Sequence, residues 1–309
     1  MFQFTPFHAT FGAEVTAPGQ DADVNLASLP DAGIAEILEA IAKYGFLVFR
    51  DTRLDDAQHV ALSRRFGDLD EISRFITPGR RMRYQHAELY DIGNMDDDGN
   101  VLGPDAILPL SGPAANNSNT TDFADSRTAF EALAPSLQQS LTQQNYVGAH
   151  CIAQSRRLGD PVFYADLDPA TQPHSRHHLV QRHEPSGRMN LYAGAHLHHL
   201  EGLPLSESTA LITKLNAHIG NAPFVASVPW HQPGDMIMWD NRAVQHRAGA
   251  NAHSGTHKRD MRRTTVHDDS PTAWGLNATG STLLGFLYDP RSADKRLGAS
   301  TVAAGAVAV

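Results

Sequence analysis

A single cysteine, Cys151, stands among 309 residues. No intrachain disulfide can form, and no thiolate cage can hold zinc or an iron–sulfur cluster. Basic charge is also scarce: 25 Lys and Arg against 34 Asp and Glu give −9 with histidines neutral. No Lys/Arg run offsets that balance, which argues against nucleic acid and anionic membrane as partners. No apolar run reaches the length of a bilayer span, and the N-terminal stretch lacks the basic-then-apolar layout of a secretory signal. A soluble, cytoplasmic protein is the expectation. There is no Gly-rich phosphate loop and no internal repeat. Apolar residues make up 41% and charged residues 19%, so disorder and coiled coil fit poorly, and the length permits a sizeable core. Imidazole is what abounds, with 17 histidines.

Ile34, Ile37, Leu38 and Ile41 fall at helical spacing, Gly45 supplies a stop, and Phe46–Phe49 reads as a buried strand. A second helix opens at Asp55, with Gln58 completing a capping box and Gly67 as its end. Helical spacing returns at 126–141 and 206–219, and strand-like runs lie at 224–228, 236–239 and 261–266. Residues 95–122 read as a long irregular loop, from the acidic Asp96-Asp97-Asp98 into a Pro/Gly/Ala/Asn-rich stretch between Gly103 and Asn119. Residues 1–280 form one expected domain, and 281–309 a tail whose end is disordered. Short strands among a few helices favour an α+β, mainly β, or sandwich-type core over a parallel doubly wound sheet.

The densest chemistry runs from Gly234 to Asp269. Trp239-Asp240-Asn241-Arg242 follows an apolar strand, His246 comes next, and Arg259, Arg262 and Arg263 follow. A histidine just past a buried strand, with arginine on the next one, suits a metal whose co-substrate carries a carboxylate. On spacing alone, a structural histidine and a solvated arginine face explain the same residues.

Residues 234–242, Gln245-His246-Arg247 and 259–265 together resemble the taurine/2,4-dichlorophenoxyacetate dioxygenase (TauD/TfdA) family. Phe11–Val15, Tyr44–Arg50, Ser63–Gly67, Asn119–Asp125 and Leu191–His196 agree in the same order. The resemblance covers most of residues 6–276. It implies a distorted double-stranded β-helix, jelly-roll-like, with flanking helices. It also implies iron(II) as cofactor, 2-oxoglutarate and O2 as co-substrates, and a small carboxylate or sulfonate whose C–H bond is oxidised with release of succinate and carbon dioxide. Carried over by motif, His246 is the distal iron ligand. Arg259 and Thr121 bind the remote carboxylate of 2-oxoglutarate, and Arg263 meets the anionic head of the substrate. A homo-oligomer is compatible with the family.

One motif of the family is missing. A His-x-Asp pair should precede Thr121 by a few tens of residues, and the chain instead passes from Asp91–Met95 through the loop to Asn119-Thr120-Thr121. A strand region is therefore expected to be deleted, with its junction at 114–119. Three His-x-acid pairs remain: His86/Glu88, His199/Glu201 and His267/Asp269. His86/Glu88 is the candidate substitute, although its surroundings resemble a family stretch upstream of the metal pair. His199/Glu201 reads as a turn, and His267/Asp269 lies on the wrong side of His246. His174, His177 and His178 read as exposed-loop histidines able to take stray metal. The alternative to an oxygenase is a metal-deficient relative that at most binds a small anion, or a chain from a truncated gene.

Overall fold

The computed structural model describes residues 1–17, 25–72, 83–102, 119–159, 161–162, 164–249 and 257–280, with the backbone of 107–108 and 112–113. Asp105, the 114–118 junction and the tail lie outside the described residues. In chain order the elements are β1 (Gln3–Pro6), β2 (Ala13–Thr16), α1 (Asp31–Tyr44), β3 (Phe46–Phe49), α2 (Asp56–Ser63), β4 (Tyr90–Asp91), β5 (Ile107–Leu108) and β6 (Gly112–Pro113). There follow β7 (Thr120–Asp125), α3 (Ser126–Glu131), α4 (Pro135–Gln144), β8 (Val147–His150), α5 (Ile152–Gly159), β9 (Ser175–His178), β10 (Val180–Arg182), β11 (Met189–Leu191) and β12 (Leu197–Leu200). The chain closes through α6 (Leu205–Ile219), β13 (Val225–Pro229), β14 (Met236–Trp239), β15 (Val244–Ala248) and β16 (Arg262–Arg263). The fold is α+β, with several small sheets and helices at their flanks. No helix among the described residues is long and apolar enough to cross a membrane.

Two sheets position the site. One has the order β1-β2-β3-β14 and the other β13-β7-β15. They pack face to face through Phe46 and Phe123, whose rings stack at 4.5 Å, with Phe11, Val48, Val228 and Val244 filling the seam. A second core lies between α1 and the outer face of β2 and β3, and a third joins α3, α4 and α6 to Leu179, Leu191, Leu197 and Leu200. Apolar burial on this scale stabilises by about 25 cal/mol per Å².

Local signals decide most boundaries. Gly45 ends α1 at φ +79°, where a Cβ would stand 2.7 Å from Val244 Cγ1 and 2.9 Å from Arg127 Nη2; only glycine fits that turn. The Asp55–Gln58 capping box forms with both of its hydrogen bonds. Asp55→Ala is expected to lower stability by about 1 kcal/mol in urea unfolding, and an unchanged midpoint would show the box to be idle.

Four expectations are corrected. Helix α2 stops at Ser63, not Gly67, because Arg64–Gly67 turns toward the Leu69–Val266 bridge. The helical run at 126–141 is two helices, since Pro135 starts a new one and disfavours helix at Ala134. The 261–266 run pairs only at Arg262–Arg263, with an isolated bridge at Val266. Within the 95–122 loop, Asp96 accepts from the amides of Asp98 and Asn100 to close a tight turn under a Met95–Val101 bridge, and the end of the loop is already β7.

Candidate functional site

Strand β7 is the centre of its sheet. Thr121 lies opposite Val228 and Ala248, and Phe123 lies opposite Ala226 and His246. Side chains alternate along a strand, so Thr121, Phe123 and His246 share one face. The His246 ring lies 4.8 Å from the Trp239 ring and 6.2 Å from Phe123, and Thr121 Oγ1 accepts from Trp230 Nε1 at 3.1 Å. Asp122 belongs to the opposite face, where Arg247 and Ser227 engage its carboxylate at 3.1 and 2.6 Å. It is therefore no partner for His246.

His246 is exposed to solvent on β15, with the Trp239 and Phe123 rings on one side of it, and this half-open place is the bowl. Burial, then the charges of Arg263 and His196, lower its pKa to about 4. The ionisable neighbours that act on it are thus cationic or histidine, not acidic.

Arg259 and Arg263 come from the return segment that pairs with residues 90–94. The Arg259 carbonyl accepts from the amide of the buried Asn94 at 3.1 Å, the Arg259 amide donates to Asn94 Oδ1 at 2.7 Å, and its Nη1 donates to the Ile92 carbonyl at 3.0 Å. At Gly93 a Cβ would stand 2.5 Å from the Arg259 carbonyl oxygen, so this close approach requires glycine. Burial pulls the Arg259 pKa below its usual value, and no carboxylate faces it among the described residues. Arg263 lies with its guanidinium 5.2 Å from the Tyr90 ring, and its Nε is buried without a partner. Burial again lowers its pKa, against the pull of Tyr90 and Asp70 and with the push of Arg156.

The structure brings His246 and Arg263 together and puts Thr121 on the same sheet face. It does not bring His86 and Glu88 to them. Glu88 is ion-paired to Arg64 past the end of α2, and the His86 carbonyl accepts from Leu89, which is buried against Val60 and Tyr84. His199 lies in β12 rather than in a turn, Glu201 is held by Arg176 at 2.5 Å, and His267 faces Asp70 at 3.6 Å. His177 and His178 lie in β9, not in a loop. Two neighbours of the bowl carried no assigned role in the sequence. His196 ends a stretch that resembles the family, whereas Arg156 on α5 had no local signal at all.

Trp239-Asp240-Asn241-Arg242 turns out to be a brace. Asp240 accepts from His183 Nε2 at 3.0 Å, from Arg242 Nε at 3.0 Å and Nη2 at 2.9 Å, and from the Arg242 amide at 2.8 Å. Burial alone would raise its pKa, but the bonds from His183 and Arg242 outweigh that and hold it well below the usual carboxylate range.

The model of the taurine catabolism dioxygenase TauD, TfdA family matches residues 3–265. The chain belongs to the TauD/TfdA family. It is 33% identical over 291 residues to the alpha-ketoglutarate-dependent 2,4-dichlorophenoxyacetate dioxygenase of Cupriavidus pinatubonensis, covering 86% of this chain and 97% of that protein. It is 31% identical over 271 residues to the (S)-phenoxypropionate/alpha-ketoglutarate-dioxygenase of Sphingobium herbicidovorans, covering 80% of this chain and 89% of that one. Its fold is similar to that of AAD-2, solved with Mn(II) and N-oxalylglycine, at a TM-score of 0.71 and 24% identity over 86% of this chain and 97% of that one.

The donor set in the bowl does not fit the iron that TauD/TfdA membership implies. Selective iron binding in such sites takes two imidazoles and a carboxylate on one face. Among the described residues His246 belongs to no group of three metal-capable side chains; the one such group is His174, His198 and His199, a different set. A small anion fits better, because Arg259 and Arg263 are half-buried guanidinium groups that form no ion pair among the described residues, with Asp70 acting on Arg263 only through its charge.

Proposed function

We propose that this TauD/TfdA relative binds a small organic anion in the His246 bowl and does not carry out the iron-dependent oxidation of its relatives. The observation that carries this reading is the buried, unpartnered Nε of Arg263 beside His246, where the family would place a metal and its substrate. A buried guanidinium with an unmet donor lacks its hydrogen-bond energy until an acceptor arrives, and a carboxylate supplies that acceptor with the right charge and planarity. Arg263 would hold the carboxylate or sulfonate of an aryloxy acid of the kind named for the relatives. Arg259 would hold a second carboxylate such as that of 2-oxoglutarate, with Thr121 accompanying it. Trp239, Trp230 and Phe123 would shield one side of the ligand. The double-stranded β-helix of the family is the frame this reading assumes.

The runner-up is the full oxygenase reaction. It is favoured by identity that runs along nearly the whole length of a 2,4-dichlorophenoxyacetate dioxygenase. It needs two further iron ligands, for which the acids of the loop before Thr121 are the remaining source, and of these Asp105 lies outside the described residues. One experiment separates the two readings. Calorimetry of the metal-free chain should detect binding of 2,4-dichlorophenoxyacetate or 2-oxoglutarate, weakened at least ~10-fold in Arg263→Gln for the first and in Arg259→Gln for the second. Anaerobic iron(II) added with 2-oxoglutarate should give no visible charge-transfer band. A band that disappears in His246→Ala would overturn the proposal in favour of the oxygenase, and absence of any anion binding by the folded chain would sink both roles assigned to the arginines.

A further inference from the structure

Away from the bowl, a second set of histidines gathers on the three-stranded sheet of order β12-β8-β9. Neighbouring residues of a regular strand point to opposite faces, so His198 and His199 should diverge. They do not, because β12 carries a bulge: Leu197 pairs with His150 and His199 with the adjacent Ala149, leaving His198 as the extra residue between them. A bulge re-aims a side chain, and here it brings Nδ1 of His198 to 2.8 Å from Nδ1 of His199. His174, the residue before β9, closes the group from across β8, with ring centroids 5.2 Å from His198 and 5.5 Å from His199. One ring nitrogen from each of the three falls within 4.8 Å of the other two.

His174 also offers a ring atom that nothing else uses: its Nε2 is buried with no hydrogen-bond partner. A buried imidazole nitrogen left unpaired suits a cation as its partner. Among the described residues no carboxylate joins the group: Glu201 is clamped by Arg176 at 2.5 and 2.7 Å, and Asp168, whose charge reaches His198, accepts from the Ala170 amide at 3.0 Å. Three neutral imidazoles suit borderline cations, whereas calcium and magnesium demand oxygen.

We propose that His174, His198 and His199 form a binding site for a borderline divalent cation, zinc(II) first, with water completing a tetrahedral shell. The site shares no residue with the His246 bowl. It would pin the start of β9 to β12 across β8, a clamp rather than a redox centre.

The test uses the full chain, free of any affinity tag and stripped of metal. Zinc titration by calorimetry should show one equivalent bound, and cobalt(II) should give the intense visible bands of a tetrahedral complex. His174→Ala, His198→Ala and His199→Ala should each weaken zinc by at least the ~100-fold that even an outer-shell partner can be worth. His199→Gln, which retains bulk and polarity, does the same if the alanine variant fails to fold. His246→Ala should leave one equivalent bound. No zinc binding by the folded chain, binding insensitive to all three substitutions, or binding lost in His246→Ala would each overturn the proposal.

Discussion

Asp125→Ala is expected to cost about 3–5 kcal/mol, enough to leave much of the chain unfolded at room temperature. Asp125 and Arg127 are both fully buried and paired at 2.9 Å, with a second contact at 3.4 Å. Arg127 also donates to the carbonyls of Ala42 and Lys43 at 2.8 and 3.5 Å, in the last turn of α1. A cation there meets the negative end of the helix dipole as well as orphaned acceptors. Asp125 accepts in addition from Thr128 at 2.8 Å and Arg188 at 3.3 Å. Removing the carboxylate leaves a guanidinium in the interior with only two carbonyls, and burying a charge without its partner is the costly case. Urea unfolding followed by far-UV circular dichroism measures the loss. A change below ~1 kcal/mol would mean that water reaches Arg127 and that the pair is not the joint between α1 and the site sheet.

Acid should weaken the fold through Asp240. Its pKa in the folded chain lies well below the ordinary carboxylate value, since His183 and Arg242 outweigh the opposing effect of burial. The stabilisation it contributes is therefore complete above the unfolded pKa near ~4 and is lost as pH falls below that toward the folded value. In that window the unfolded chain takes up the proton first, and stability drops by up to ~1.4 kcal/mol per pH unit for this group. A total loss of about 2–3 kcal/mol is expected by pH ~2. In Asp240→Asn the acid limb should flatten by that amount while stability at pH 7 falls. An acid limb of unchanged slope in the variant would assign acid lability to other carboxylates and remove Asp240 as the brace between His183 and β15.

Where a segment carries its own stop and start signals, the sequence is readable. Helix α1, its Gly45 cap, strand β3 and the Asp55–Gln58 box follow from a handful of adjacent residues. The helix through 126–141 failed on Pro135, a signal that was present but ranked below the apolar spacing. For the candidate site, motif order singles out His246, Arg259, Arg263 and Thr121 and shows that the family's His-x-Asp pair is missing. Which of them meet it does not show. Arg263 is placed by pairing with Tyr90 and His246 by pairing with Phe123 in two separate sheets, and only the packing of those sheets lets the charge of one bear on the other. Nothing near Arg156 announces that its charge bears on Arg263, because that proximity arises only when α5 packs.

By itself, then, the sequence determined the TauD/TfdA membership and the local elements with strong caps, because those rest on residue identity and short-range spacing. Tertiary structure alone decided three further matters. It assigned Asp240 and Asp125 to bracing rather than chemistry, set the Glu88 carboxylate against Arg64, and gathered His174, His198 and His199 around a single point. Each of these depends on contacts between segments distant in the chain, and the last on one bulge. Without the bulge in β12, His198 and His199 would point to opposite faces, and no local pattern in the sequence records that choice.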